Sequence, residues 1–372
     1  MFSWLVVGGE ETEVRLLARH LDPSRYQLEV VACFRKPGMP EQTHQQLEAL
    51  GVKVDRTPYT LGFDDTVAYL ARKLMSYDLV VACQAVPDMY PALERLPPER
   101  RPPLIEHGGL VSEALEGPKH LTTRYIGVCR SIRDAAASRM PDRPHHAIEI
   151  PSMVDISEFD LLDAGTRAQV RAEWDIASHT FVAGWVGRLD RKKRVEDFLH
   201  AAALVHARQP DVRFVVIGGP DAFMPEYADE LRALATRLGI AESVIFTGDR
   251  PDVPRQLCAL DVLVWLSRGE GMPHVISEAG AAALPVIATR DNGSEQQIQD
   301  SVSGLFVPHE CPSAVAECIL RLHHQPALRR ELGAALRARV EREFAAPIVA
   351  RRWAAVFDEV LAEHRRGRAG SG

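Results

Sequence analysis

The sequence predicts an α/β protein of two domains, each a parallel sheet covered by helices. Three observations carry this expectation. Short apolar runs alternate with longer amphipathic ones along the chain, the pattern that βαβ units with a buried sheet produce. At 372 residues the chain is too long for one comfortable core, and about 150 residues per domain suggests two. The strand series also pauses at a helix-like stretch near 160–175 and then restarts. Two domains imply a cleft.

In the first domain, expected over residues 1–160, the strand candidates are WLVVG (4–8), LEVVACF (28–34), DLVVAC (78–83), PLIEH (103–107), YIGVC (125–129) and AIEIP (147–151). Helical patterns such as TEVRLLARHL and DTVAYLARKL lie between them. In the second domain, expected over 161–346, the series is FVAGWVG (181–187), RFVVIGG (213–219), SVIFTG (243–248), DVLVWLS (261–267), PVIAT (285–289) and GLFVP (304–308). These strands end in Gly or Ser followed by polar loops, and open α/β sheets bind ligands outside such carboxyl ends. The last amphipathic run, PIVARRWAAVFDEVLAEHRR (347–366), has no strand after it and is expected to pack back on the first domain. Residues from about Arg365 onward read as a disordered tail.

Composition narrows the function. With 46% hydrophobic and 26% charged residues the chain is globular. A net charge of −7 argues against a nucleic-acid partner, so the partner is expected to be small. The six cysteines, Cys33, Cys83, Cys129, Cys258, Cys311 and Cys318, lie far apart without a C-x-x-C. They indicate neither a zinc site nor a disulfide framework. No apolar run approaches the ~18 residues of a membrane span, and the first residues lack a basic signal-peptide region. A cytoplasmic protein is expected.

The stretch SRGEGMPHVISEAGAAALPVIAT places Glu270 after a strand candidate and Glu278 inside the helix that follows. Pro273 suits the first position of that helix. Backbone N–H groups of Gly271, Met272 and His274, with the positive end of the helix dipole, would favour an anion. Carboxylates beside a phosphate would be repelled by it, so Glu270 and Glu278 better suit the hydroxyls of a sugar. The competing account is a solvated loop glutamate and a glutamate satisfying the dipole. The second feature is VGRLDRKKRVEDF (186–198), where Gly187 opens a loop carrying Arg188, Arg191, Lys192, Lys193 and Arg194. Beyond residue 119 the only lysines are Lys192 and Lys193. A cationic loop after a strand can neutralise a diphosphate, Arg188 as a planar fork and Lys193 as a point charge. A solvent-facing basic turn is the alternative, one unfavourable to the following helix dipole.

Other patterns set limits. Neither VVGGEETE nor VVIGGPDAF is G-x-G-x-x-G, so the nicotinamide or flavin fingerprint is absent. Gly8 and Gly9 serve either a close backbone approach to a ligand or a tight turn. His107, at the end of a strand candidate, is either a cleft-facing donor or base, or a structural histidine. No H-E-x-x-H, G-x-S-x-G or P-loop occurs, and Asp64-Asp65 lie in a polar loop, so no metal is expected.

Taken together, VGRLDRKKR, FVVIGGP, VIFTGDR and RGEGMPHVISEAGAAALPVIATRDNGSEQQIQDSVSGLFVP resemble the family 4 glycosyltransferases. The resemblance is strongest over about residues 181–308 and looser in the first half, through GGEETEVRLLARHLDPSRY and IPSMVDISEF. It implies a GT-B fold, two Rossmann-like domains with parallel sheets facing each other across a cleft. It also implies a retaining, metal-independent and cofactor-free transfer of a sugar from a nucleoside-diphosphate sugar to an acceptor hydroxyl. On that resemblance Arg188 and Lys193 hold the donor diphosphate, Glu278 the ribose hydroxyls, and Glu270 the transferred sugar. Gly9 borders the phosphates, His107 lies near the sugar and acceptor, and the backbone around Asp249 and Arg250 meets the base. The acceptor would be a small molecule, a glycan or a lipid-linked compound. The cations of KHLTTRYIGVCRSIRDAAASRM would meet an anionic acceptor or a membrane surface, or form a solvated face. Relatives usually carry Asn-Gly where this chain has Ser152-Met153. The alternative function is nucleotide-sugar binding without transfer, as a partner or regulatory subunit.

Overall fold

The computed structural model describes residues 1–83, 86–160, 162–221 and 223–369. The chain divides into two compact units, Met1–Met153 with Ala346–Gly372 and Val154–Ala345. Among the described residues no helix is long and apolar enough to cross a membrane.

In the first unit β1 (Glu29–Val31) and β2 (Lys53–Asp55) pair in parallel. A second parallel sheet takes β3 (Val80–Cys83), β4 (Leu104–Gly108), β5 (Thr122–Gly127) and β6 (Ala147–Glu149) in that order. The strand expected at 4–8 is not formed, because the pairing happens earlier in the chain. Phe2 donates to Val31 O at 2.9 Å and accepts from Cys33 N at 3.0 Å, while Met1 O accepts from Cys83 N at 2.8 Å. The first two residues therefore link β1 to β3. Residues 6–8 turn away into the Gly9–His20 helix, drawn by Glu11, whose Oε1 accepts from Val6 N at 3.2 Å. Val7 is left 50% exposed, which the apolar run did not foretell. Strand β2 carries no signal in the sequence, because VKVD is too short to show a period of two.

The Ala346–Ala369 helix belongs to this unit's core. Val349, Trp353, Val356, Phe357 and Val360 pack with Leu16 and Leu17 of the Gly9–His20 helix, with Leu21 just after it, and with Ile105 and Ile126 of the sheet. Arg124 on β5 fastens it by donating to Glu359 at 2.8 Å and Glu363 at 2.7 Å. The helix continues to Ala369, so the tail expected from Arg365 is helical that far, as strong helix formers such as Arg and Ala allow. The last residues of that expectation, 370–372, lie outside the described ones.

In the second unit β7 (Val182–Val186), β8 (Arg213–Ile217), β9 (Val244–Gly248), β10 (Val262–Trp265), β11 (Val286–Thr289) and β12 (Leu305–Val307) form one parallel sheet. Its order is β12-β11-β10-β7-β8-β9. Strands β7, β10 and β11 are buried along their whole length, which is why each reads as a continuous apolar run. The chain winds outward from β7 in one direction and from β10 in the other. The crevice at the carboxyl ends of these two neighbours is the topological switch point where such sheets bind ligands.

Asp261, immediately before β10, pins the opposite end of the same strand. It accepts from Arg167 at 2.8 Å, from Arg171 at 2.7 Å and from Val182 N at 2.9 Å. Arg171 is 1% exposed and also donates to the carbonyls of Ala259, Ser178 and Thr180 at 3.0, 2.8 and 2.7 Å. A charge so enclosed is tolerable only when its donors are satisfied. Asp261→Ala is therefore expected to cost the second unit about 3–5 kcal/mol, read as a lower urea midpoint for that unit.

Glu13 supplies a pH test in the first unit. Its carboxylate is buried and accepts from Met153 N at 2.8 Å. Burial pushes its pKa from the ordinary 4.5 up to about 8, against the opposing pull of the Met153 and Ser152 hydrogen bonds. The folded state thus keeps a proton that the unfolded chain releases, so this group's contribution falls as pH rises from about 4.5 to about 8 and is level beyond. Glu13→Gln should remove that slope. The gap in melting temperature between the variant and the parent should widen in the variant's favour across that window, and an unchanged gap would refute the assignment.

Candidate functional site

At the end of β7 the chain enters Gly187, whose φ of +154° is unsuited to other residues. A Cβ there would stand 3.2 Å from the Trp185 ring and 3.3 Å from that of Trp265. Gly187 N donates to Ile217 O and Leu189 N to Gly219 O, both at 2.9 Å, so the loop follows the end of β8. Asp190 then accepts from Lys192 N at 2.9 Å and caps a three-residue turn, Arg191–Lys193. Arg194, at φ +56°, starts the Val195–His206 helix.

The five cations of this loop separate by partner. Arg191 is bound to Glu230 at 2.7 Å, and Arg194 to Asp197 at 2.9 Å. Glu196 and Asp197 lie in the first turn of the helix, so the mismatch with its dipole is compensated within the fold. Arg188, 43% exposed at its side chain, reaches Asp221 at 2.8 Å. Lys193 is different: only 13% exposed, it turns inward and donates to Glu270 Oε1 at 3.1 Å.

Glu270 comes from the loop after β10, reached through Ser267 and Gly269, the latter at φ +70°. Ser267 Oγ donates to its Oε1 at 2.9 Å, Lys192 Nζ lies 3.8 Å away, and Glu270 N donates to Asp291 Oδ2 at 2.9 Å. Arg268 N donates to Lys192 O at 2.9 Å, which ties the two loops together through backbone as well. Burial pushes the Glu270 carboxyl up, but Lys193, Lys192 and the Ser267 hydroxyl outweigh it and hold its pKa below the ordinary range. At Lys193 burial is the stronger influence, and it lowers the basicity of the ammonium against the pull of Glu270. The pair thus sets a carboxyl that favours its ionised form beside an enclosed amine whose basicity is lowered.

The helix after this loop spans His274–Ala281, with Pro273 as the residue before it rather than its first. Gly271 and Met272 are buried, while His274 and Glu278 are half-buried. Gln297 locks the helix entrance, donating to Pro273 O and Ser277 Oγ at 2.9 Å each. Arg250 is not part of the Lys193–Glu270 pairing: it is held by Asp252 at 2.8 Å and reaches Glu173 at 3.5 Å.

In the first unit, Gly9 is the first residue of the Gly9–His20 helix and Gly8 its cap. His107 on β4 is 3% exposed and packs edge-on against Trp353, with ring centres 5.2 Å apart. Its Nδ1 lies 4.0 Å from Glu10 Oε1. Burial, then the Glu113 carboxylate, push the pKa of Glu10 well up. Sequence reasoning passes over Glu10, Ser267, Asp291 and Trp265. Asp291 carried a faint signal, a polar turn after a strand; the others carried none.

Residues 180–325 match the family described as Glycosyl transferases group 1. The D-inositol 3-phosphate glycosyltransferase of Salinispora tropica is 34% identical over 209 residues, 54% of this chain and 43% of that protein. The Frankia alni protein of that name is 31% identical over 245 residues, 62% of this chain and 60% of its own length. The chain thus spans about half the length of these curated relatives. Among solved structures, Anabaena HepE in complex with UDP and glucose superposes with a TM-score of 0.81 at 20% identity, covering 96% of this chain and 98% of that one. Sucrose-phosphate synthase from Thermosynechococcus elongatus gives 0.74 at 18% identity, with 96% and 94% covered. These likenesses are of fold, and the fold is GT-B.

Gly187→Ala combines an unfavourable φ with crowding of two indoles. It is expected to cost about 1–3 kcal/mol, measured by urea unfolding followed through tryptophan emission.

Proposed function

We propose that this chain is a family 4 glycosyltransferase, a reading supported by the match of residues 180–325 to the group 1 glycosyl transferases, and that it moves a sugar from a nucleoside-diphosphate sugar to an acceptor hydroxyl, with retention and without a metal. The observation that carries the reading is the 3.1 Å contact between Lys193 and Glu270. It brings a basic loop and an acidic loop, 77 residues apart in sequence, together at the switch point of one sheet.

In this reading Lys193 and Arg188 take the diphosphate, Lys193 from a desolvated position and Arg188 from the solvent side. The N-terminus of the His274–Ala281 helix, with Gly271 and Met272 before it, contributes amide dipoles. Glu270, kept ionised by its lysine neighbours, is an acceptor-only group suited to the hydroxyls of the transferred sugar. Glu278 serves the ribose and the backbone around Arg250 serves the base. Departure of the nucleoside diphosphate builds negative charge on the leaving phosphate, and fixed cations that already face that position stabilise it without reorganising. Retention then follows from front-face attack, with the acceptor hydroxyl giving its proton to the departing phosphate.

Thermal unfolding against UDP, GDP, ADP, CMP and NADH tests this. At about 100 times its dissociation constant a ligand adds about 2.7 kcal/mol. One nucleoside diphosphate should stabilise the parent protein but not the Arg188→Ala, Glu278→Ala double variant. Transfer of labelled sugar from the matching donor then separates a transferase from a binding protein. Stabilisation by NADH alone would overturn the reading.

A further inference from the structure

The Lys193 ammonium has a third neighbour besides Glu270 and Lys192. Its Nζ stands over the Trp265 ring, 4.8 Å from the centroid. Trp265 ends β10 and is 4% exposed. It stacks on Trp185 of β7, with ring centres 6.0 Å apart and planes inclined by 20°. Gly187 leaves no slack on that side, since even a methyl group there would crowd both indoles. The Trp265 ring is therefore a fixed surface presented to a cation whose carbon stem is already buried.

Fixation matters because the other contact of Lys193 is with a group that has work elsewhere. In the function proposed above, on which this inference rests, Glu270 turns its acceptor capacity to sugar hydroxyls when the donor binds. Lys193 would then share its carboxylate partner while remaining enclosed, and burial already weakens its hold on a proton. The charged groups that act on it are Glu270 in favour of the cation and Lys192 and Arg188 against it. An indole face attracts a cation without accepting a hydrogen bond from it, so it steadies the ammonium while leaving its N–H donors to phosphate oxygens.

We propose that Trp265 is a positioning residue for the donor diphosphate, its ring holding the Lys193 ammonium in place for the phosphate oxygens. It touches no substrate atom in this account and acts through Lys193. A purely structural role would be filled equally well by any apolar side chain of sufficient size.

The test uses the full-length protein and the nucleoside diphosphate that stabilises it most, with affinity measured by calorimetry from pH 6.5 to pH 9. Trp265→Leu is expected to weaken binding roughly 2- to 30-fold, the range of a desolvated cation–π contact, with the loss growing toward high pH. Trp265→Phe, which keeps an aromatic face, should recover most of the affinity. Combined with Lys193→Met, the leucine change should add little further loss, because residues acting through one contact are not additive. If Trp265→Leu binds as the parent does, or if leucine and phenylalanine variants lose affinity equally with the parent's pH profile, Trp265 is packing alone and the inference falls while the proposed function stands. If the losses of Trp265→Leu and Lys193→Met are additive, the inference falls in the same way. If the parent binds no nucleoside diphosphate, both fall together.

Discussion

The second unit depends on one largely enclosed carboxylate. Asp261 receives two guanidinium groups and a strand N–H at the amino end of β10, joining that strand, β7 and the Ala164–Glu173 helix at a single point. Buried ions are expensive to desolvate, and one left half-satisfied costs more than an apolar replacement. Here Arg171 shares its donors between Asp261 and four backbone carbonyls. The consequence is felt at the other end of the strands. With β7 and β10 held side by side, the loops leaving their carboxyl ends have little choice but to meet.

That meeting explains the electrostatics of the site. Lys193 and Glu270 compensate each other in a place neither would occupy alone, and each is further supported by its own loop. Asp190 shapes the turn that carries the lysine, while Ser267 and Asp291 hold the carboxylate and its backbone N–H. Ready-made charges of both signs suit a ligand that is itself divided into an anionic part and a hydroxylated part. Two of the other loop cations do other work: Arg191 and Arg194 are tied to Glu230 and Asp197. A cluster that looks uniform in sequence is thus divided by the fold into two structural pairs, two solvent-side cations and one inward-facing charge.

The first unit shows the reverse balance of charge. Glu10 and Glu13 lie on one short helix with their carboxyl groups enclosed, and burial favours the protonated form of both. His107 stands beside Glu10 and against Trp353, a residue contributed by the far end of the chain. Trp353 and its neighbours on the Ala346–Ala369 helix complete the core around Leu16 and Leu17. This unit is therefore closed only when its two separate stretches of chain come together.

The parallel-sheet class and every strand of the second unit could be read from sequence. β7, β10 and β11 are buried along their whole length and β8 along most of it, and continuous apolar runs between polar turns have few other meanings. Glu270, Glu278, Arg188 and Lys193 were also visible, since their residue types stood out after strand candidates. What sequence could not decide was pairing. Nothing in WLVVG reveals that Glu11 draws it into a turn while Phe2 takes its place beside β1. Nothing in RLDRKKR reveals which of five cations faces inward, and nothing in DVLVWLS marks Trp265 as anything but a core residue. Periodicity and composition are local properties, so the chain alone determines which segments become strands and where polar loops follow them. Strand order, the contact of Lys193 with Glu270 and the indole beneath it are set by which segments lie adjacent in space, and only the tertiary structure decides that.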